Sequence, residues 1–165
     1  NLINYNYYNY YMIVYIFDLD DTIIKHVKNA PIDYPNIKKN DTLNDLLHNC
    51  NCDEKYIFTN GTDEHAKVIL TNMEIDNHFL NIFSRDNFYP YLKPHIETYL
   101  FVENKINYQL NHQIYFFDDL LINLKKAKEL QWITILIHSK FTTSHSYIDY
   151  SFPNIYQALL YFNKK

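Results

Sequence analysis

Ile13-Val14-Tyr15-Ile16-Phe17-Asp18-Leu19-Asp20-Asp21-Thr22 runs from strand-favouring apolar residues straight into three carboxylates and a threonine. Val, Ile, Tyr and Phe in an unbroken run have the length and character of a strand buried on both faces of a parallel sheet. Carboxylates cannot follow such a strand into the core, because an unpaired buried charge costs several kcal/mol or more. They belong at the carboxyl end of the strand, where open α/β sheets place their ligands. Asp18 and Asp20 are two residues apart, so the chain must bend after the strand for both to face one site. A divalent cation would relieve their repulsion. Taken alone, a D-x-D pattern reads equally well as an acidic turn.

Three later segments decide between those readings. Tyr56-Ile57-Phe58-Thr59-Asn60-Gly61 is a second short apolar strand, ending in a hydroxyl and an amide. Leu92-Lys93-Pro94 puts a lysine before a proline of the kind that opens helices. Ile114-Tyr115-Phe116-Phe117-Asp118-Asp119 is a third apolar strand ending in paired acids, with Asn123 shortly after. In this order, D-x-D-x-T, T-N, K-P and D-D, the chain resembles the haloacid dehalogenase (HAD) superfamily of phosphohydrolases across roughly residues 13 to 137.

The segments between the motifs predict the architecture. A helix capped by Thr42 and ending near Asn49 is expected, then a strand over 55–59, a helix over 63–73 and a short strand over 81–84. A helix opened by Pro94, a strand over 113–117, a helix over 120–130, a last strong strand over 132–137 and a closing helix over 152–162 complete the pattern. Alternating strands and helices imply an α/β fold: a three-layer, doubly wound parallel sheet in a single domain over 12–165. HAD proteins often insert a helical cap after the first or second motif. Here only 36 residues (positions 23 to 58) lie between Thr22 and Thr59, and 61–93 holds one helix, one strand and a loop. The chain therefore reads as essentially capless, with a short flap at 23–41.

Composition bounds the function. At 165 residues and 47% hydrophobic, one folded domain with a true core is expected. A net charge of −4 gives no footprint for nucleic acid or an anionic membrane. No stretch has the length of a membrane span and no signal-peptide pattern appears. Cys50 and Cys52 are the only cysteines; they make no disulfide framework and cannot complete a zinc site by themselves, so a reducing, cytoplasmic setting is expected. The eight histidines show no ligand spacing and read as surface or packed side chains. Richness in Asn, Ile, Tyr, Lys and Phe matches the codon bias of an A+T-rich genome, such as a large DNA virus or a protist. Residues 1–11 (NLINYNYYNYY) are low in complexity, and Met12 is the expected translation start.

The resemblance implies roles for particular residues. Asp18 would be the nucleophile, forming an aspartyl-phosphate, and Asp20 the acid and base. Mg²⁺ would sit on Asp18, the Asp20 backbone carbonyl and the pair Asp118/Asp119, with Asp119 favoured as the direct ligand and Asp118 orienting it. Thr59 and the amides that follow it, that of Asn60 among them, would bind phosphate oxygens, and Lys93 would stabilise both the nucleophile and the developing charge. Asp21 is expected to stay solvated or to cap the following turn. The phrases Phe58-Thr59-Asn60, Lys93-Pro94-His95, Phe117-Asp118-Asp119 and Ile135-Leu136-Ile137-His138 look like the pyrimidine 5′-nucleotidase-like subgroup. A nucleoside monophosphate is then the expected small substrate. The missing cap suits instead a phosphorylated macromolecule, and a binding protein that kept the fold without activity is the rival class.

Overall fold

Alternation along the central strands sets the layers. In a computed structural model that describes residues 11–27, 30–140 and 145–164, β1 (Met12–Phe17) is flanked by β2 (Glu54–Phe58) and β4 (His112–Asp118). With β3 (Asn81–Phe83), β5 (Ile133–Ile137) and β6 (Tyr150–Phe152) they form one six-stranded, wholly parallel sheet in the order β3-β2-β1-β4-β5-β6. Tyr15, Phe17, Ile57, Phe117, Ile135 and Ile137 face one way, against Leu43 and Leu47 of α1 (Asp41–His48), Ile69 and Leu70 of α2 (Asp63–Asn72), and Leu159 and Phe162 of α6 (Ile155–Phe162). Val14, Ile16, Phe58, Phe116 and Leu136 face the other way. There they meet Phe88 of α3 (Arg85–Phe88), Tyr99 and Val102 of α4 (Ile96–Lys105), and Leu124 and Ala127 of α5 (Leu121–Glu129). This is the expected three-layer α/β sandwich, held largely by aromatic burial. Phe17 stacks on Phe117 with centroids 4.6 Å apart, and Trp132, fully buried, packs on Tyr99 and Phe116.

The chain builds outward from β1 to β3, then returns to the other side of β1 to add β4. Adjacent loops therefore leave in opposite directions between β1 and β4, which opens a crevice at the carboxyl edge of those two strands. Because Phe17 is paired with Phe117, Asp18 and Asp118 emerge side by side at that edge.

Some expectations are corrected. The first helix is capped by Asn40, whose side chain accepts from Leu43 N, and not by Thr42. The helix after Lys93 begins at Ile96, with Pro94 still in the preceding turn. Ile133–Ile137 is not the last strand: Tyr150–Phe152 adds a sixth, and the closing helix starts only at Ile155, capped by Asn154. Three half-buried residues at a sheet edge carry too little pattern to separate from a helix entrance. No helical cap interrupts the described residues of 23–41 or 61–93. The flap instead contains a short 3₁₀ turn, Tyr34–Asn36. Strand β1 starts at Met12, while residues 1–10 lie outside the described residues. No helix among the described residues is long and apolar enough to cross a membrane.

Candidate active site

Asp18 follows β1 with its amide still donating to Phe117 O at 2.8 Å, so its position is fixed by the sheet. The chain then turns: Ile23 and Ile24 both donate to Leu19 O, and Asp21 adopts a positive φ of 60°, which Asp tolerates better than most residues. That turn brings Thr22 back so that its hydroxyl donates to Asp18 Oδ2 at 3.1 Å. The Asp21 carboxylate accepts from His26 N and so caps the turn.

Lys93 is the centre of the cluster. Its ammonium donates to Asp18 Oδ1 at 2.8 Å, to Asp118 Oδ2 at 2.9 Å and to the carbonyl of Phe58 at 2.8 Å. The Phe58 and Phe116 rings lie 4.9 and 5.3 Å from the same nitrogen. All three donor hydrogens are thereby used inside a site where the Lys93 side chain is 1% exposed. Burial pushes the Asp18 carboxyl up to about 7, with Lys93 pulling it down and Asp118 and Asp119 adding repulsion. Burial also works against the Lys93 charge, but Asp118 and Asp18 outweigh it and hold the ammonium above its ordinary range.

Asp118 is fully buried and saturated. Besides Lys93, its oxygens accept from Leu120 N at 2.8 Å and from Asn123 Nδ2 at 3.0 and 3.2 Å. Tyr99 supports Asn123 from behind, donating to its carbonyl at 2.9 Å. Asp119 is only part-buried and lines the cleft, its carboxyl raised to about 6 by burial and by the Asp118 and Asp21 charges. Asp18, Asp118 and Asp119 each offer an oxygen within 4.8 Å of the others.

Asp18, Asp20, Thr59, Asn60, Lys93 and Asp119 all border one cleft of about 220 Å³. Thr59 is buried, and its hydroxyl accepts from Gly61 N at 2.9 Å, which leaves its own hydrogen to donate. The side chain of Asn60 has a structural task. Its carbonyl accepts from Lys93 N at 2.8 Å and its amide donates to Lys93 O at 3.1 Å, so its side chain clamps the lysine loop.

Sequence reasoning missed two histidines. Nε2 of His26 lies 2.5 Å and Nε2 of His65 2.8 Å from the same Asp20 oxygen, Oδ1. Tyr34 of the flap is 2.8 Å from Nδ1 of His65. Positions 20, 26, 34 and 65 form no periodic pattern, and only the fold of the flap onto α2 brings them together.

No protein-family model matches the chain, and no curated protein sequence matches it. Solved structures do. The L-2-haloacid dehalogenase of Xanthobacter autotrophicus, with chloropropionic acid covalently bound, superposes with a TM-score of 0.61 at 14% identity over 77% of this chain, which spans 62% of that protein. The HAD-hydrolase YfnB of Bacillus subtilis, bound to magnesium, gives 0.66 at 14% identity over 93% of this chain and 100% of that one. A predicted phosphoglycolate phosphatase from Haemophilus somnus gives 0.55 at 20% identity over 66% of this chain and 49% of that one. None of these three is named as a nucleotidase.

Proposed function

With the fold of the haloacid dehalogenase-like hydrolases as premise, we propose that this chain is a Mg²⁺-dependent phosphohydrolase that cleaves phosphate monoesters through an aspartyl-phosphate. The observation that carries the reading is the Asp18–Lys93–Asp118 bridge with Asp20 and Asp119 at the rim of the same cleft. Asp18 Oδ2 attacks phosphorus, oriented by Thr22 and Lys93 on its two oxygens. Asp20, two residues on, protonates the leaving oxygen and then takes a proton from the water that opens the intermediate. Lys93 and the Thr59 hydroxyl face the developing negative charge.

The donor set fits magnesium. Asp18 and Asp119 present hard oxygens, and Asp118, whose oxygens are already satisfied, holds Lys93 and the start of α5 in place. When bound, the ion supplies charge neutralisation between the nucleophile and the incoming phosphate.

A dehalogenase reading fits the residues less well. Halide is a good leaving group that needs no proton, and it is repelled by carboxylates. A site of that kind has no use for the proton that Asp20 would give to a leaving oxygen.

Small phosphate esters, a nucleoside monophosphate among them, are the substrate class of this proposal. A phosphorylated macromolecule is the alternative that an uncapped cleft admits, and loss of activity is the rival class. Phosphate release from an aryl phosphate, a nucleoside monophosphate, a sugar phosphate and a phosphopeptide, with Mg²⁺ and after chelation, tests it. Asp18→Asn is expected to abolish turnover. Near-native turnover in that variant, or release indifferent to chelation, refutes the mechanism.

A further inference from the structure

His26, His65 and Asp20 meet apart from the lysine-bridged acids, and the phosphohydrolase chemistry above uses only one of the three. We propose that they form a second divalent-cation site, one for a d-block ion of the zinc type, and that filling it silences Asp20. The silencing rests on the proposed phosphohydrolase reading; the binding does not.

The geometry is that of a ligand set. The two Nε2 atoms and a carboxylate oxygen of Asp20 lie within 4.8 Å of one another, with both nitrogens directed at the single oxygen Oδ1. Hydrogens now fill the space between these atoms. A cation in their place satisfies the same three atoms at once, with both imidazoles carrying their remaining hydrogen on Nδ1. For His65 that hydrogen has a partner ready. The Tyr34 hydroxyl sits 2.8 Å from Nδ1 and accepts as readily as it donates. An outer partner that fixes ring orientation and tautomer is a regular feature of histidine ligands.

The chain's single glycine supplies an independent sign that the His65 ring is meant to lie where it does. A Cβ on Gly61 would stand 2.6 Å from Cδ2 of His65 and 3.2 Å from the Thr59 hydroxyl. A Cβ at 61 would force the His65 ring or its surroundings to shift.

Ligand type selects the ion. Two imidazoles and one carboxylate suit Zn²⁺, Ni²⁺, Co²⁺ or Fe²⁺, whereas Mg²⁺ and Ca²⁺ prefer all-oxygen sets such as the neighbouring acids. The side chains of His65, His26 and Asp20 are 12%, 21% and 35% exposed, enough for an ion to enter. Occupation joins the flap, through His26, to α2, through His65. It also replaces the proton that Asp20 must carry to the leaving group.

Co²⁺ titrated into the full chain, with Mg²⁺ saturating and thiols reduced, provides the test. One equivalent is expected to give visible d–d bands of a nitrogen–oxygen site, lost when Zn²⁺ is added. His26→Gln and His65→Gln should each weaken Co²⁺ binding by at least about 10-fold, the least that losing even an outer partner of a ligand costs, and Gly61→Ala should weaken it by displacing the ring. His26 lies on the flap outside the core, so its variant stays folded and keeps the test decisive if His65→Gln does not. Absence of Co²⁺ binding by the parent chain, an affinity in both glutamine variants equal to the parent's, or sulfur-to-cobalt charge-transfer bands from Cys50 and Cys52 would each overturn the site. In the activity arm, Zn²⁺ should inhibit phosphate release by the parent at concentrations that spare His26→Gln. A chain that binds Co²⁺ through these residues yet releases no phosphate keeps the cation site and rejects only the phosphohydrolase.

Discussion

Replacing Lys93 with methionine keeps most of the side chain's bulk and removes only the ammonium. The structure fixes what that removal does. Asp18 and Asp118 are left next to each other, with 10% and 0% of their side chains exposed, and the carbonyl of Phe58 loses its donor. Deleting one partner of a buried ion pair costs about 3–5 kcal/mol, because the remaining charge stays buried without compensation. Against a total stability of about 5–15 kcal/mol for a domain, this is a large share. With a urea slope near 2 kcal/mol per molar, the unfolding midpoint should fall by about 1.5–2.5 M.

The pH dependence has a definite sign. Asp18 stands at about 7 in the folded chain, above the ordinary aspartate value of about 3.9 when unfolded. A carboxyl raised by folding contributes stability that is complete below its unfolded value and is lost as pH rises through the folded one. Without Lys93 the carboxyl rises further, so the deficit of Lys93→Met should be small near pH 5 and largest near pH 8. Urea melts at those two pH values, with chelator and with Mg²⁺, measure it. Mg²⁺ should return part of the lost stability, since it becomes the nearest available positive charge. A midpoint within about 0.3 M of the parent near pH 8, in chelator, would refute the buried bridge.

Asn60→Ala removes both bonds that clamp Lys93 N and Lys93 O, and should lower stability by about 1–3 kcal/mol and turnover with it, read by urea melts and phosphate release. Asp149 accepts from Lys128 and from the buried Thr134 amide, and is held below the usual carboxylate range by those partners against the opposing effect of burial. Asp149→Ala should cost about 1–3 kcal/mol at neutral pH, and the deficit should shrink as pH falls below about 4, through the lowered Asp149 value, in acid melts. Trp132→Ala empties the fully buried site against Tyr99 and Phe116 and strips the bond from its indole nitrogen to Glu103, so thermal unfolding should report a loss of about 3–5 kcal/mol.

The sheet's centre was legible because β1, β2 and β4 are buried on both faces, and burial on both faces demands unbroken apolar runs. The same runs located the acids, since a carboxylate after Phe17 or Phe117 has no place to go except the strand's end. β6 was not legible, because a short half-buried edge strand needs no such run. Helix starts shifted by a residue or two, as at Asn40, because asparagine, aspartate and threonine compete for the same cap and tertiary packing chooses among them.

Sequence order gave Lys93 a charge-stabilising role beside the nucleophile, but not its bridge from Asp18 to Asp118. The sequence favoured Asp119 over Asp118 as the direct ligand, but that Asp118 is saturated by Lys93, Leu120 N and Asn123 while Asp119 faces the cleft depends on where α5 begins. The histidines were hidden for a different reason. Each contributes through one contact to Asp20 from a separate segment, the flap and α2, so no local pattern selects for them. The single glycine was the one signal available. In a chain that fills its turns with asparagine and other residues carrying a Cβ, the glycine at 61 leaves side-chain volume empty, and the His65 ring lies against that volume.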